Sequence, residues 1–388
     1  MKGKTGLEKG IRLCLVSSYP PNRGRLSEYT KDLALRLSDR REISHIQVLA
    51  DKVNGKQNHA IEEKGIEVSR TWQPDNPISI LALIPSIVRL RPDIVHFNTH
   101  FQSFGKSRLA NFIGLCLAPL LGLFGFKVIT TMHNFGDIVD LEKVEVRNHI
   151  VNRLAIFLVT KFLLAKSNVV VTVESYIERL SGRYGFNNMR YIPHGTSVEG
   201  QKTNANARKR ILMFGHMGPY KGLPVLMECF ESIKRKRSDI DLVVAGSSHP
   251  NFPDYLNAFE KDYQDVTFTG YVPEEKLSSV FNMASVVVLP YLTATGTSGV
   301  FHKSCSYGKP IIVSDLPEFR ELVREGASAV ITEPGDADSL EESILRVLDN
   351  EKLASEMGSK NLEYAKSESW EVISKRYSEA YSSLLFKN

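Results

Sequence analysis

The sequence is poor in cysteine, and the few cysteines it has exclude two kinds of site. Its four cysteines, Cys14, Cys116, Cys229 and Cys305, lie far apart and mostly in apolar contexts. Such spacing fits neither a disulfide framework nor a cysteine metal centre, and it is typical of reduced thiols in a cytoplasmic protein. The basic N-terminal residues also lack the apolar run and small-residue cleavage site of a signal peptide. We therefore expect a cytoplasmic protein that is not secreted.

Long apolar runs are equally scarce, and only the segment 109–126 is long and apolar enough to resemble a membrane span. It reads LANFIGLCLAPLLGLFGF, 18 residues without a charge, which is near the lower limit for crossing a bilayer. Glycines and a proline interrupt it, and a strand-like KVITT follows at once. We expect a buried helix that ends in a turn at Gly122–Gly125. The alternative is a helix that contacts a membrane surface, which would place the protein at the inner face of the cell membrane.

The sequence has no segment in which clustered lysines and arginines alternate with aromatic residues, which argues against nucleic-acid binding. Charge is nevertheless unevenly divided, because residues 1–200 hold 27 Lys and Arg against 18 Asp and Glu, whereas residues 201–388 hold 22 against 26. A basic half indicates an anionic partner, and an anionic membrane fits this at least as well as a nucleic acid does. The alternative is that the surface charge is unevenly distributed by chance and serves no partner.

Short β-branched runs alternate with longer stretches of helical period along the whole sequence. The predicted strands are Arg12–Val16, Ile46–Ala50, Ile66–Ser69, Ile94–Phe97, Lys127–Thr131, Val169–Val173, Ile211–Phe214, Asp241–Ala245, Val266–Thr269, Val286–Leu289, Pro310–Val313 and Ala329–Ile331. The predicted helices include Ser27–Leu37, Ile78–Leu90, Leu223–Arg235, Lys276–Asn282 and Leu340–Leu348. This alternation predicts an α/β protein with two parallel, doubly wound sheets and a ligand cleft between their carboxyl ends.

The domain boundary is predicted from a change in composition. The segment Glu199–Arg208 is polar and rich in small residues, and a new strand follows it. We therefore place an N-terminal domain at 1–200 and a C-terminal domain at 201–368. A last helix, Ser369–Leu385 within 369–388, belongs to neither sheet by pattern.

Two loops that follow predicted strands carry residues suited to phosphate binding. Residues 211–223 read ILMFGHMGPYKGL, in which Lys221 and Gly222 open a helix. A lysine beside a helix N-terminus can hold a diphosphate without a metal, and a solvated lysine is the alternative. The block Val286–Asp315 contains a loop of glycines and small hydroxyl residues before its helix, whose bare amides can approach a sugar phosphate.

Taken in order, a series of motifs along nearly the whole chain resembles the GT-B glycosyltransferases of family 4. The motifs read SSYPPNRG–EYT, PDIVHFNTH, TTMHNF, YIPHG, FGHMGPYKGL, TFTGYVPEEKL and VVVLPY–SGV–GKPIIVSD. The resemblance implies two facing Rossmann-like domains, with a C-terminal helix that crosses back to the N-terminal, acceptor-side domain. It implies retaining transfer of a hexose from a UDP- or GDP-sugar to a hydroxyl of a glycan or lipid-linked acceptor, in polysaccharide or glycoconjugate synthesis. Neither a metal nor a cofactor is implied.

The resemblance also implies roles for individual residues. His133 matches the histidine that faces the transferred sugar, and Lys221 matches the lysine that neutralises the diphosphate, so these two are the implied catalytic residues. The implied donor-binding residues are Arg23, Gly24, His216, Lys221, Thr295, Gly296, Thr297, Ser298, Gly299, Val300 and Lys303. His96 and His100 are candidate acceptor contacts, with packed or surface histidines as the alternative. His194 is expected to be structural.

Three positions depart from the family pattern. The family has two glutamates, with seven residues between them, at the positions where this sequence has Thr295 and Lys303, and it has an arginine where this sequence has His216. A lysine cannot accept the ribose hydrogen bonds that a glutamate accepts. Lys303, or Arg23 and Arg25 across the cleft, could supply charge to the diphosphate instead. The alternatives are a non-catalytic binding or scaffolding subunit and another reaction of a nucleotide sugar, such as epimerisation.

Overall fold

A computed structural model describes residues 10–22, 25–138, 150–200, 208–294 and 296–386. The chain divides into two compact units, and the division falls between Gly195 and Thr196 and again between Ser369 and Trp370. Most of the linker predicted at Glu199–Arg208 lies outside the described residues.

The first unit is built on an eight-stranded sheet in the order β3-β4-β2-β1-β5-β6-β7-β8. Its elements are β1 (Ile11–Val16), α1 (Arg25–Leu37), β2 (Ile43–Asp51), β3 (His59–Ile61), β4 (Glu67–Trp72), α2 (Pro77–Leu81), α3 (Leu83–Leu90), β5 (Ile94–Thr99), α4 (Arg108–Leu123), β6 (Val128–Met132), α5 (Ile150–Lys166), β7 (Asn168–Val171), α6 (Ser175–Tyr184) and β8 (Met189–Tyr191). All neighbouring strands pair in parallel except β3 and β4, which are antiparallel.

The second unit is built on a six-stranded parallel sheet in the order β11-β10-β9-β12-β13-β14. Its elements are β9 (Lys209–Phe214), α7 (Leu223–Lys236), β10 (Ile240–Ala245), α8 (Tyr255–Asp262), β11 (Thr267–Phe268), α9 (Glu274–Met283), β12 (Val286–Leu289), α10 (Gly299–Ser306), β13 (Ile311–Ser314), α11 (Pro317–Arg324), β14 (Val330–Thr332), α12 (Ala337–Leu348) and α13 (Glu351–Ser367). The last helix, α14 (Trp370–Leu385), belongs to the first unit.

Helices cover both faces of each sheet, so central strands such as β5, β6 and β12 are buried along their whole length. In the first unit, α1 and α14 pack on one face and α2 to α6 on the other. In the second unit, α7, α8 and α12 cover one face, and α9 to α11 cover the other. The prediction of two doubly wound sheets is therefore confirmed, and so is the return of the last helix to the first sheet.

The segment 109–126 forms a helix, α4, that ends in a turn at Gly125, whose φ is 85°. The predicted buried helix is confirmed on one face of α4, which includes Ala110, Leu117 and Leu121, whereas Leu109 and Phe112 on the other side are exposed. Among the described residues, no helix is long and apolar enough to cross a membrane.

Candidate functional site

The strand order of each sheet marks where a ligand would bind. In the first unit the order reverses between β1 and β5, and in the second between β9 and β12. Doubly wound sheets bind ligands at the carboxyl ends of the strands beside such a reversal, because the loops there diverge and leave a crevice. In each unit, the candidate residues lie at the carboxyl ends of these strands or of their neighbours.

In the second unit, Gly222 brings the two predicted phosphate-binding loops together. Its φ is 70°, and a Cβ at this position would lie 1.8 Å from the carbonyl oxygen of Pro290. Only glycine permits this approach, because any side chain would collide with the backbone at the end of β12. The neighbouring backbone is also joined, since Leu292 N donates to the carbonyl of Tyr220 at 2.9 Å.

Lys221 is held inside this arrangement. It lies in the short turn Pro219–Lys221 before α7 and is only 3% exposed. Its Nζ lies 3.6 Å from the centroid of the Tyr291 ring, a distance typical of a cation–π contact. This burial rules out a solvated lysine and fixes a positive charge beside the loop that follows β12.

The predicted glycine-rich loop leads directly into α10. Ser298 caps this helix, because its side chain accepts a hydrogen bond from Phe301 N at 3.4 Å. A Cβ on Gly215, which follows β9, would lie 3.2 Å from Val300, so the loop after β9 touches the first turn of α10. Gly296 and Gly299 therefore lie at the positive end of a helix, where backbone amides bind anions.

Behind this loop lie two buried polar side chains that sequence reasoning missed, His302, which is hydrogen-bonded to Thr297, and Glu368, which lies beside the His302 ring. Thr297 Oγ1 lies 2.7 Å from His302 Nε2, and His302 Nδ1 lies 3.3 Å from Glu368 Oε2. His302 and Glu368 are both buried. They hold Thr297 in the loop before α10. The neighbouring Lys303 is half-buried in α10.

His216 has partners from the next strand, which were also missed. Its Nδ1 lies 3.3 Å from Ser247 Oγ, and its ring centroid lies 6.4 Å from that of His249. Ser247 and His249 follow β10, which pairs with β9. The sequence did contain a signal for these partners. Polar residues, Ser247 to His249, follow the predicted strand Asp241–Ala245, which comes next in the chain after the strand that leads to His216.

In the first unit, the candidate residues are grouped around Asn98 of β5. Its Nδ2 donates to Thr30 Oγ1 at 2.9 Å, and its Oδ1 lies 2.7 Å from His133 Nε2. Ser17, at the end of β1, donates from Oγ to the Asn98 carbonyl at 2.9 Å. The strand reversal thus gathers residues from β1, α1, β5 and the loop after β6.

The protonation state of His133 follows from this network. Burial, together with smaller effects of the neighbouring His100 and His96, lowers the pKa of His133 to about 3, so the ring is neutral near pH 7. Because Asn98 donates through Nδ2, its Oδ1 must accept, and the ring proton of His133 is therefore on Nε2. His133 Nδ1 is left as a hydrogen-bond acceptor suited to a sugar hydroxyl.

Aromatic rings fix the position of His133. The ring centroid of Tyr29 lies 4.6 Å from that of His133 and 4.9 Å from that of His194. Tyr29 is itself held by a hydroxyl contact of 3.1 Å to Tyr377 of α14. His194 also lies near Trp370, with centroids 6.2 Å apart. These contacts agree with the structural role expected of His194.

His96 is a packed histidine and not an acceptor contact. It is fully buried in β5, with Nδ1 2.7 Å from Tyr381 Oη and Nε2 2.8 Å from Thr131 Oγ1. Both ring nitrogens are engaged, so no acceptor can reach them. His100 lies just after β5 and is half-buried, and its Nδ1 accepts from Gln102 N at 3.0 Å.

The buried His96 makes stability depend on pH. Burial lowers its pKa to about 3 from an ordinary value of 6.5. Between these values the unfolded chain binds a proton that the native chain does not, so unfolding becomes easier as the pH falls, by about 1.4 kcal/mol per pH unit. We expect the urea midpoint of a His96→Gln variant to fall less steeply than that of the wild type between about pH 7 and pH 5.5. Equal slopes in urea titrations would contradict this.

Three predicted donor-binding residues, Arg23, Gly24 and Thr295, lie outside the described residues, and so does the side chain of Arg25. Within the part of the chain that is described, no group of three or more His, Cys, Asp or Glu residues is arranged to hold a metal ion.

Comparison with known proteins agrees with the resemblance seen in the sequence. Residues 208–350 match the family model described as "Glycosyl transferases group 1". A lipopolysaccharide 1,2-N-acetylglucosaminetransferase of Salmonella typhimurium is 24% identical over 209 residues, covering 48% of this chain and 55% of the relative. A phosphatidyl-myo-inositol mannosyltransferase of Mycobacterium leprae is 20% identical over 200 residues, covering 50% and 53%. The chain spans about half the length of these curated relatives.

Solved structures match over nearly the full length. A sucrose-phosphate synthase from Thermosynechococcus elongatus has a TM-score of 0.79 at 20% identity and covers 97% of this chain and 99% of its own. The Anabaena protein Alr3699/HepE, in complex with UDP and glucose, has a TM-score of 0.72 at 14% identity, with coverage of 96% and 100%. The protein thus has the GT-B fold, and the resemblance to group 1 glycosyltransferases is confirmed, with the family match lying in the second unit.

Proposed function

We propose that this protein is a retaining glycosyltransferase, which moves a hexose from a nucleoside-diphosphate sugar to a hydroxyl of a glycan or lipid-linked acceptor. The observation that carries the proposal is the site at the sheet reversal of the second unit. There, the buried Lys221 packs on the ring of Tyr291, whose hydroxyl lies 3.5 Å from Ser298 Oγ at the N-terminus of α10. A fixed cation next to bare amides at a helix N-terminus is suited to a diphosphate.

The matches support a nucleotide-sugar donor. Alr3699/HepE binds UDP, glucose and UDP-glucose, and it shares the fold of this chain. The relatives from Salmonella and Mycobacterium are named for transfer of N-acetylglucosamine and mannose. Their names also mention lipopolysaccharide and phosphatidyl-myo-inositol, which supports an acceptor joined to lipid and a role in making cell-surface glycoconjugates.

In the proposed reaction, the bond between the anomeric carbon and the diphosphate oxygen breaks, and a bond to the acceptor oxygen forms. The acceptor proton passes to the departing diphosphate, so no base from the protein is required. Lys221 and the amides at 296–300 stabilise the charge that develops on the leaving group, where one well-placed donor lowers the barrier by about 3 kcal/mol. His133 orients the sugar by accepting a hydroxyl hydrogen bond at Nδ1.

A transfer assay tests this function directly. Purified protein is incubated with labelled UDP- and GDP-hexoses and a lipid and glycan extract, and the product is analysed by NMR for anomeric configuration. We expect one donor to label the extract with retention. Nucleotide binding without transfer would overturn the proposal in favour of a non-catalytic subunit, and an altered free nucleotide sugar would identify an epimerase-type reaction.

Lys303 is proposed to supply the second positive charge that the family takes from an arginine, because His216 stands in place of that arginine and Lys303 is a half-buried lysine of α10. We expect Lys303→Ala to weaken nucleoside-diphosphate binding by roughly fivefold to tenfold, as for loss of one charge-assisted contact. Calorimetric titration measures this, with Lys276→Ala, an exposed lysine of α9, as the matched control. Unchanged affinity in Lys303→Ala would remove Lys303 from the donor site.

A further inference from the structure

We propose that the outer surface of α4 and α5 docks on an anionic lipid bilayer. We call this surface the apolar–basic face. Its exposed residues are Arg108, Leu109, Phe112 and Leu123 of α4 and Ile150, Val151, Arg153, Leu154, Leu158, Lys161, Ala165 and Lys166 of α5. Every one of these residues is either apolar or positively charged. The proposal is independent of sugar transfer, because docking needs neither donor nor acceptor.

The two helices lie side by side and run in the same direction. Near their N-termini, Arg108 Nη1 donates to Asn152 Oδ1 at 3.1 Å. Near their C-termini, a Cβ on Gly122 would lie 2.2 Å from the carbonyl oxygen of Lys166, so the two backbones touch there. Because the helices meet at both ends, their exposed residues form one continuous surface.

The exposed apolar residues of this face lie next to one another and are not scattered singly over the surface. Ile150 and Val151 are 86% and 75% exposed, and Leu154 and Leu158 follow on the same side of α5. Phe112 of the adjacent α4 is also exposed. Contiguous exposed apolar residues of this kind mark an interaction site, since their burial releases water from a large apolar area.

The opposite sides of both helices are anchored in the core of the first unit. Val159, Leu163 and Leu164 of α5 are buried there, as are Leu117 and Leu121 of α4. Neither helix can therefore leave the sheet to enter a bilayer lengthwise. The geometry is that of helices lying in the plane of the membrane interface, with side chains inserted to the depth of the headgroups.

Charge selects an anionic bilayer as the occupant. Neither α4 nor α5 contains an acidic residue, and Lys106 and Lys127, which flank α4, are exposed as well. The nearby Asp137 points inward, where Thr160 donates to it at 2.7 Å and Arg183 lies at 3.4 Å. A second copy of the chain would bring like charges together across a symmetric interface, whereas lipid phosphates would neutralise them.

Vesicle flotation tests the proposal. The wild type is expected to float with vesicles of phosphatidylcholine and phosphatidylglycerol, and to bind far less to phosphatidylcholine alone. The double variant Ile150→Ser/Leu154→Ser removes apolar contacts, and Lys161→Glu/Lys166→Glu reverses two charges. Each is expected to lower the bound fraction about tenfold or more. Ile61→Ser, at an exposed isoleucine of the edge strand β3, is the matched control and is expected to float like the wild type.

Three results of these experiments would overturn the proposal. Equal binding to both kinds of vesicle would show that charge plays no part, and retained flotation of both double variants would place membrane contact elsewhere. Light scattering on the same proteins would show a dimer lost in Ile150→Ser/Leu154→Ser if the face joined two copies of the chain. Circular dichroism and nucleotide binding, which depends on the second unit, check that each variant is folded.

Discussion

Replacing Lys221 with methionine is expected to lower kcat/KM for sugar transfer about a hundredfold and to weaken nucleoside-diphosphate binding about tenfold or more. Methionine keeps a similar apolar stem in the buried turn and removes only the charge. The charge lies 3.6 Å from the Tyr291 ring and beside the loop that enters α10, where the leaving diphosphate would develop its negative charge. Loss of the charge is therefore expected to lower both the affinity for the nucleoside diphosphate and the rate of transfer.

Two further variants separate charge from packing at this site. Lys221→Arg keeps a charge, but the planar guanidinium is larger than the ammonium group that is buried against Tyr291, so we expect only partial activity. Lys276→Ala, at an exposed lysine of α9, is expected to behave like the wild type. Nucleotide titrations and initial rates give both quantities. Wild-type affinity and rate in Lys221→Met would show that this lysine has no part in binding the donor.

Replacing His133 with alanine is expected to lower kcat about a hundredfold and to leave nucleoside-diphosphate affinity unchanged. The reason is that His133 belongs to the first unit, whereas the proposed diphosphate contacts belong to the second. Loss of the Nδ1 acceptor would leave the sugar poorly oriented without changing the hold on the nucleotide. His59→Ala, at an exposed histidine of β3, is the matched control. Reduced nucleotide affinity, or full activity, in His133→Ala would contradict this role.

The pH profile gives an independent check on the hydrogen bond from His133 to Asn98. In Asn98→Asp a carboxylate would face Nε2, and this negative charge would raise the pKa of His133 from about 3 toward its ordinary range. We expect transfer by this variant to fall as the pH is lowered through the raised pKa, because the protonated ring no longer accepts at Nδ1. A purely structural role for Asn98 would lower activity equally at every pH.

The alternation of strands and helices was predictable because it depends on local periodicity, and β12 was found with its exact bounds at Val286–Leu289. The helix predicted at Ile78–Leu90 is instead two helices, α2 and α3. Pro85 explains the break, since it has no N–H to donate to the carbonyl of Leu81. The edge strands β3 and β8 were missed because each is short and lacks the run of β-branched residues that marked β14, which is equally short.

The candidate site was predictable only where a local motif carries it. Lys221 and Gly222 follow a strand and open a helix, so the sequence alone indicates a phosphate site. Asn98 and the pair of His302 with Glu368 depend on contacts between residues far apart in sequence, which no local pattern reveals. For the same reason the sequence left His96 open between an acceptor contact and a packed histidine, because its burial against α14 depends on the return of the last helix to the first sheet.

The central claim is that the second unit holds a nucleoside-diphosphate sugar, and calorimetric titration tests it most directly. Purified wild-type protein and Lys221→Met are titrated with UDP, GDP, ADP and CDP. Our account predicts that one of these nucleotides binds the wild type in the micromolar range and binds the variant at least several times more weakly. If none of them binds the wild type, the site is not a donor site, and the proposed transferase function is wrong.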